Sequence, residues 1–134
     1  MSLDKEILRA KINEILGIIA ELRRITSKSY SEMSIDEIYS MRYNIIILAE
    51  SLASLCFYIA SKYFNMSPRF YSECFREVSQ RLNVACYEDL ISLTRLRNLL
   101  VHRYWIIKDE LVYDNIKRNF KCIENFIKKI EETI

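Results

Sequence analysis

Glycine and proline are almost absent from this chain, which has one of each among 134 residues. Turn-rich β folds need both residues at many positions, because tight turns require a positive or a fixed φ angle. α-Helices tolerate this scarcity, since both residues weaken a helix interior. With 51% hydrophobic and 28% charged residues, the composition is that of a globular protein. We therefore predict an all-α fold that forms a single domain over residues 1–134.

Apolar residues that recur every three or four positions predict about five helices, arranged as an up-and-down bundle. The predicted helices cover residues 2–28, 34–65, 68–82 and about 87–102, with a last one from 109 onwards. Their start signals are Ser2, the capping-box pair Ser34 and Glu37, Ser67-Pro68, the first-turn acids Glu88 and Asp89, and the cap Asp109. Asn83 suits the end of the third helix, and residues 27–34 and 103–108 are expected to be connections. Between residues 45 and 59 the second helix is apolar nearly all round, so we expect it to be central or to contact a second subunit.

The four cysteines indicate no metal site. Cys56, Cys74, Cys86 and Cys122 include no Cys-x-x-Cys pair, and one histidine accompanies them. We expect all four to be small core residues with free thiols, and we expect no metal or other cofactor.

Residues 1–6 are polar and charged, unlike a signal peptide, and the longest apolar run, residues 45–49, is too short to span a bilayer. A cytoplasmic protein is therefore expected.

The segment with the clearest chemical potential surrounds His102, the one histidine of the chain. Between Ile91 and Lys108 it contains no acidic residue, although the net charge of the whole chain is only +2. The positive residues of this window are Arg95, Arg97, Arg103 and Lys108. A histidine that titrates near neutral pH, beside arginines that hold a phosphate, is the minimum set for cleaving a phosphodiester without a metal.

The same residues predict a mechanism for RNA cleavage. Neutral His102 is the candidate base for the ribose 2′-OH, and Arg97 is the candidate partner for the charge that develops on the phosphoryl oxygens. Asn98, four residues before His102 and on its helix face, is expected to orient His102 or to hold a phosphate oxygen. Arg95 and Arg103 are expected to form a basic rim that attracts RNA. One copy makes a partial site, so we expect a homodimer in which a second His102 protonates the leaving oxygen.

Other interpretations of these residues remain open. His102 suits a helix C-terminus for electrostatic reasons alone, Arg97 fits an ion pair, Asn98 is a natural capping residue, and Tyr104 is one of nine tyrosines and fits simple packing. The chain is then a non-catalytic helical binding subunit that presents a substrate or nucleotide. A plain helical RNA- or nucleotide-binding protein is a third possibility.

The segment around His102 resembles a known signature. The pattern Arg97-Asn98-x-x-x-His102-x-Tyr104 is similar to the Arg-x4-His-x-Tyr motif of HEPN-domain toxins, specifically the HepT-like group. Further similarity lies at residues 41–43, at residues 67–75, at Trp105 and at residues 109–112, so the resemblance covers roughly residue 35 to the C-terminus. Arg103 departs from the group, because many relatives have glycine there; it adds charge and bulk at the mouth of the cleft.

The resemblance implies a HEPN-like homodimer that acts as a metal-independent endoribonuclease, the toxin of a two-gene module. Arg97, Asn98 and His102 match its catalytic motif. The implied partner is a minimal nucleotidyltransferase (MNT) antitoxin, which silences the nuclease by attaching AMP to the tyrosine that matches Tyr104. Such an addition puts negative charge and bulk where the RNA phosphate must lie.

Overall fold

Five α-helices make up the computed structural model, which describes residues 3–134. They are α1 (Leu3–Ile25), α2 (Ile35–Tyr63), α3 (Tyr71–Leu82), α4 (Tyr87–His102) and α5 (Asp109–Thr133). Two short 3₁₀ turns, Tyr30–Glu32 and Tyr104–Ile106, lie in predicted connections, and residues 3–134 contain no strand. Each helix packs against the next one along the chain. The predicted all-α fold of about five helices is confirmed, whereas the predicted cap at Ser2 lies outside the described residues.

α2 is the central helix of the fold, as its apolar sequence predicts. It contacts α1, α3, α4 and α5. By length and hydropathy alone it could also cross a membrane, since an 18-residue window within its 29 residues has a mean hydropathy of 1.6. From the sequence, no segment is predicted to span a membrane, because the longest uninterrupted apolar run is residues 45–49, which lie between Asn44 and Glu50. Half of that window is buried inside the protein, which is the environment of a core helix.

The start of α2 is fixed by the predicted capping box. The Glu37 backbone N–H donates to Ser34 Oγ at 3.1 Å, and the Ser34 backbone N–H donates to Glu37 Oε1 at 2.9 Å. Lys28 Nζ adds an ion pair to Glu37 at 2.9 Å. The Ser34 backbone donor, followed by Lys28, lowers the pKa of Glu37 to about 2. The connection between α1 and α2 is therefore tied to the first turn of α2.

α1 ends at Ile25, three residues earlier than predicted. The two hydroxyl-bearing residues that follow turn back onto the helix instead of extending it. Thr26 Oγ1 donates to the Leu22 carbonyl and Ser27 Oγ to the Arg24 carbonyl, both at 2.8 Å. Such local bonds satisfy the last carbonyls of a helix and compete with its next turn.

The predicted start of α3 at Pro68 is wrong. The helix begins at Tyr71, after Phe70 in an extended conformation. The end of α2 explains the difference: Asn65 adopts a positive φ of 52°, and the Met66 backbone N–H donates to the Ala60 carbonyl at 2.8 Å. This closure of α2 leads into a non-helical segment at residues 67–70, so Pro68 precedes the helix. The predicted end at Asn83 is confirmed, with Asn83 left-handed at φ 60°.

Two of the four cysteines are not free thiols, which corrects the sequence prediction. Cys86 and Cys122 form a disulfide with their Cα atoms 5.9 Å apart. Cys56 and Cys74 are buried free thiols, as predicted, and burial raises the pKa of the Cys56 thiol. The error arose because a separation of 36 residues gives no local signal of pairing. The disulfide joins the residue that precedes α4 to the middle of α5.

Candidate functional site

One stripe of α4 passes from the core to the surface. Ile91, Thr94, Asn98 and His102 follow at spacings of three and four residues and therefore share a helix face. Ile91 and Thr94 are buried, Asn98 is half-buried, and His102 is exposed. Leu90, Leu93 and Leu100 on the inward face are buried. α4 is thus anchored at its start and presents polar side chains at its end.

Arg97 is held by an acid on α2. Its Nε and Nη2 donate to one oxygen of Glu50, Oε1, at 3.1 and 2.9 Å. Its Nη1 donates to Asn98 Oδ1 at 3.0 Å. The side chains of Arg97 and Glu50 are 29% and 52% exposed. Three donors of the guanidinium are engaged, while the second Glu50 oxygen accepts no hydrogen bond within residues 3–134.

Asn98 therefore contacts Arg97 and not His102. The sequence interpretation gave it the task of orienting His102 or holding a phosphate oxygen. In the structure its carbonyl oxygen accepts a hydrogen bond from the Arg97 guanidinium. Glu50 was not predicted as part of this site. Its signal in the sequence is an acidic residue inside the apolar stretch of residues 45–59, where a carboxylate needs a partner.

Arg97 and Asn98 line a cleft of about 400 Å³ between α2, α4 and the segment before α3. We call it the Ala53 cleft, because Ala49 and Ala53 line its α2 side. The other lining residues are Glu50, Phe57, Arg69, Phe70, Tyr71 and Thr94. His102 is not among them. On an ideal helix it lies one turn beyond Asn98, about 6 Å along the axis.

His102 is the last residue of α4 and is exposed. The helix closes behind it, where the Arg103 backbone N–H donates to the Leu99 carbonyl at 2.8 Å. Within residues 3–134 the imidazole takes part in no hydrogen bond or ion pair. Arg95 and Arg103, the predicted rim, are also exposed. Seven residues separate Arg95 from His102, so both project from nearly the same side of α4.

Tyr104 and Trp105 stand on the surface directly after His102, 58% and 67% exposed. Their rings meet edge to face with centroids 5.4 Å apart. The 3₁₀ turn that carries them is tied to α2, because Arg42 Nη1 donates to the Tyr104 carbonyl at 3.2 Å. The Tyr104 hydroxyl forms no hydrogen bond within the described part of the chain, so it is available to a partner.

Arg42 also fixes the start of α5. Its Nε and Nη2 donate to the two oxygens of Asp109 at 2.6 and 3.0 Å, and both side chains are less than 20% exposed. The hydrogen bonds to Asp109 raise the pKa of Arg42. Asp109 is the first residue of α5 and not its cap, which is Lys108. The predicted capping role of Asp109 is wrong, because Arg42 takes up its carboxylate.

Among residues 3–134, no group of three or more His, Cys, Asp or Glu side chains is arranged to hold a metal ion. The polar groups of the site are instead a guanidinium, an amide and an imidazole. Together they can hold an anion and exchange a proton.

A helical fold that ends its fourth helix in Arg97, Asn98 and an exposed His102 has the features of a HEPN-type protein. The family model described as "Ribonuclease HepT-like" matches residues 12–130, so the chain belongs to the HepT-like ribonuclease family. The match includes residues 12–25 of α1, which the resemblance in the sequence did not cover. Membership supports a ribonuclease activity in general. No curated protein and no solved structure matches the chain.

Proposed function

We propose that this protein is a metal-independent endoribonuclease toxin that acts as a homodimer and cleaves RNA through attack by the ribose 2′-OH. The observation that carries the proposal is the arrangement at the end of α4. Arg97 and Asn98 line one cleft, and an exposed imidazole without an internal partner follows one turn later. The family match supports the choice of RNA as substrate, and the mechanism needs the 2′-OH that DNA lacks.

His102 acts as the base. Its neutral imidazole takes the proton of the 2′-OH, and the 2′-oxygen attacks the adjacent phosphorus. The bond to the 5′-oxygen breaks, which leaves a 2′,3′-cyclic phosphate on one fragment. A protonated imidazole then gives its proton to the departing 5′-oxygen. The exposure of His102 supports this role, because a histidine buried in the core would not reach the ribose.

Arg97 stabilises the transition state. Negative charge grows on the two non-bridging phosphoryl oxygens, and a planar guanidinium can donate to both. Glu50 and Asn98 hold this guanidinium in place, so little reorganisation is needed when RNA binds. Arg95 and Arg103 add positive charge near His102 and attract the RNA backbone.

The dimer completes the site. One protomer has one histidine, whereas the reaction uses a base and an acid at the same phosphate. His102 of the partner subunit supplies the acid if two α4 ends meet across a twofold axis. Exposed apolar side chains near His102, namely Leu99, Val101 and Ile106, offer contact area for such an interface.

A minimal nucleotidyltransferase is the proposed antitoxin. The hydroxyl of Tyr104 attacks the α-phosphorus of ATP, pyrophosphate leaves, and AMP remains on the tyrosine. The exposed, unbonded hydroxyl supports this role. Incubation with such a transferase and ATP is expected to add the mass of one AMP per chain. The same treatment of Tyr104→Phe is expected to add none; an unchanged gain in that variant places the modification elsewhere.

A cleavage assay tests the enzymatic proposal directly. Purified protein is incubated with end-labelled single-stranded RNA in EDTA, and the product ends are identified. We expect cleavage that leaves 2′,3′-cyclic phosphates and is lost in His102→Ala. A strict need for a divalent ion points to different chemistry. Binding without cleavage supports the non-catalytic alternative, a subunit that docks the nucleotidyltransferase and presents substrate or nucleotide.

A further inference from the structure

The Ala53 cleft has more binding surface than the proposed cleavage chemistry uses. Phosphoryl transfer needs His102 and Arg97, yet the cleft extends from Arg97 past the small side chains of Ala49 and Ala53 to aromatic residues. Its volume of about 400 Å³ falls in the range of small-molecule sites. The cleft can therefore hold a group attached to the phosphate as well as the phosphate itself.

The far wall of the cleft is aromatic and unusually exposed. Phe70, which directly precedes α3, is 65% exposed, although burial is the usual state of phenylalanine. Tyr71 and Phe57 are half-buried beside it. Exposed aromatic rings next to arginines are a surface on which unstacked bases of single-stranded nucleic acids stack.

Charge favours the same ligand. Arg69 and Arg97 lie on the cleft, and the negative charge of Glu50 is matched by Arg97. The guanidinium of Arg69 forms no ion pair within the described residues, since only its backbone N–H is bonded, to Glu73 at 3.2 Å. Among those residues the Arg69 guanidinium is therefore unpaired and can donate to a phosphate. The amide nitrogen of Asn98, which forms no hydrogen bond within the described residues, adds a donor that can meet the edge of a base.

We propose that the Ala53 cleft binds a nucleobase of single-stranded RNA, which stacks on Phe70 while Arg69 contacts a neighbouring phosphate. The proposal rests on the proposed ribonuclease function and names a substrate subsite beside its catalytic residues. The base in the cleft is the one attached to a nucleotide next to the scissile phosphate, because Arg97 lines the cleft and also serves the reaction.

A binding assay with an uncleavable probe tests this subsite. The probe is a fluorescein-labelled 2′-O-methyl RNA of mixed sequence, which cannot undergo attack by a 2′-OH, and the measurement is fluorescence anisotropy. Phe70→Ala is expected to raise the Kd about 10-fold, and Phe70→Trp is expected to keep it near the wild-type value. Ala53→Leu, which fills the cleft without removing a contact, is expected to raise the Kd as well.

Matched controls separate the cleft from general charge effects. Arg69→Ala is expected to weaken binding and to reduce its salt dependence, whereas Arg76→Ala, an exposed arginine on α3 outside the cleft, is expected to change neither. Probes that lack one base at a time sharpen the test. Wild type is expected to bind one of these probes more weakly than the complete probe. Phe70→Ala is expected to bind that probe and the complete probe equally, because the ring on which the missing base stacks is already absent.

The outcomes for the cleft and for the ribonuclease are distinguishable. Unchanged Kd values in both Phe70→Ala and Ala53→Leu overturn the subsite even if the protein cleaves RNA. The expected Kd changes without any RNA cleavage remove the ribonuclease and leave the subsite. A Phe70→Ala protein that becomes monomeric in sedimentation shows that a second copy covers the cleft, and this too overturns the proposal.

Discussion

The two ends of α4 are built in opposite ways. At its start, Cys86 is bonded to Cys122 of α5, and Leu90 and Leu93 are buried. At its end, Leu100 is the last buried residue, and every residue from Val101 to Ile106 is exposed. One end joins the helix to the bundle, and the other carries the polar residues of the candidate site.

The difference shows how a small fold presents reactive groups without losing their geometry. An exposed loop of this length would cost little to distort. Here the exposed residues follow directly from a helix whose other end is covalently fixed, and Arg42 ties the 3₁₀ turn that follows His102 to α2. We therefore expect mutations at the start of α4 to change stability and mutations at its end to change activity.

The largest expected effect is the loss of cleavage in Arg97→Ala. Removing a donor to the developing phosphoryl charge is expected to lower kcat by about 1000-fold, or roughly 4 kcal/mol of transition-state stabilisation. The Tm should change little, since Arg97 and Glu50 form a partly exposed pair. Single-turnover cleavage and thermal unfolding measure the two quantities. An Arg97→Ala variant that keeps its activity but has a lower Tm would show that the end of α4 serves stability and not activity.

Removing the disulfide at the start of α4 is expected to have the opposite effect, a loss of stability at constant activity. Cys86 and Cys122 are 36 residues apart, and loss of a crosslink over such a loop lowers the free energy of unfolding by about 4 kcal/mol. We expect the double variant Cys86→Ser and Cys122→Ser to unfold at lower denaturant concentration, with kcat/KM unchanged at temperatures where it stays folded. Reductant should destabilise wild type and leave this variant unaffected. Equal midpoints for both proteins would show that the bond contributes nothing.

Glu50 belongs both to the scaffold and to the candidate site, since it lies on the central helix α2 and contacts Arg97. We expect Glu50→Ala to lower kcat about 10-fold, because the guanidinium loses the acceptor of its Nε and Nη2 donors. KM should not rise, since a carboxylate near the phosphate is removed at the same time. Glu50→Gln keeps an oxygen acceptor and should retain most of the kcat. A rise in KM at constant kcat would mean that Glu50 binds substrate and does not position Arg97.

The helices were predictable because their signals are local. The capping box at Ser34 and the left-handed Asn83 are decided by residues three or four positions away. Two of the predictions that failed depend on distant parts of the chain. The ion pair between Asp109 and Arg42 spans 67 residues, and the disulfide spans 36. The end of α1 and the start of α3 failed for local reasons instead, because Thr26 and Ser27 bond back onto α1 and the closure of α2 at Asn65 determines the path of Pro68.

The candidate site also has features that local spacing determines and features that packing determines. The spacing of Asn98 and His102 on α4 could be predicted, because it follows from helix geometry. The contact of Asn98 with Arg97, the support from Glu50 and the Ala53 cleft could not, since each depends on how α2 and the segment before α3 pack against α4. The homodimer and the modification of Tyr104 remain predictions that the experiments above address.

The smallest expected effect is on the pH dependence of the Tm, which should change with the scaffold and not with the candidate site. Glu37, at the start of α2, has its pKa lowered from 4.5 to about 2 by the Ser34 backbone N–H and Lys28. Because the pKa is lower in the folded state, this carboxylate contributes stability above about pH 4.5 and loses the contribution as the pH falls towards 2. Glu37→Gln should therefore make the Tm less dependent on pH in that window. The pH dependence that remains is expected to include Glu21 and Glu32, whose pKa values are also lowered, by Arg24 and Ser29.

Since Glu37 is not part of the Ala53 cleft, cleavage of RNA at neutral pH should be the same in this variant and in wild type. A Tm curve of Glu37→Gln that coincides with that of wild type from pH 4.5 to 2 would show that the capping box gives no pH-dependent stability, and a loss of cleavage would show that the start of α2 also shapes the site.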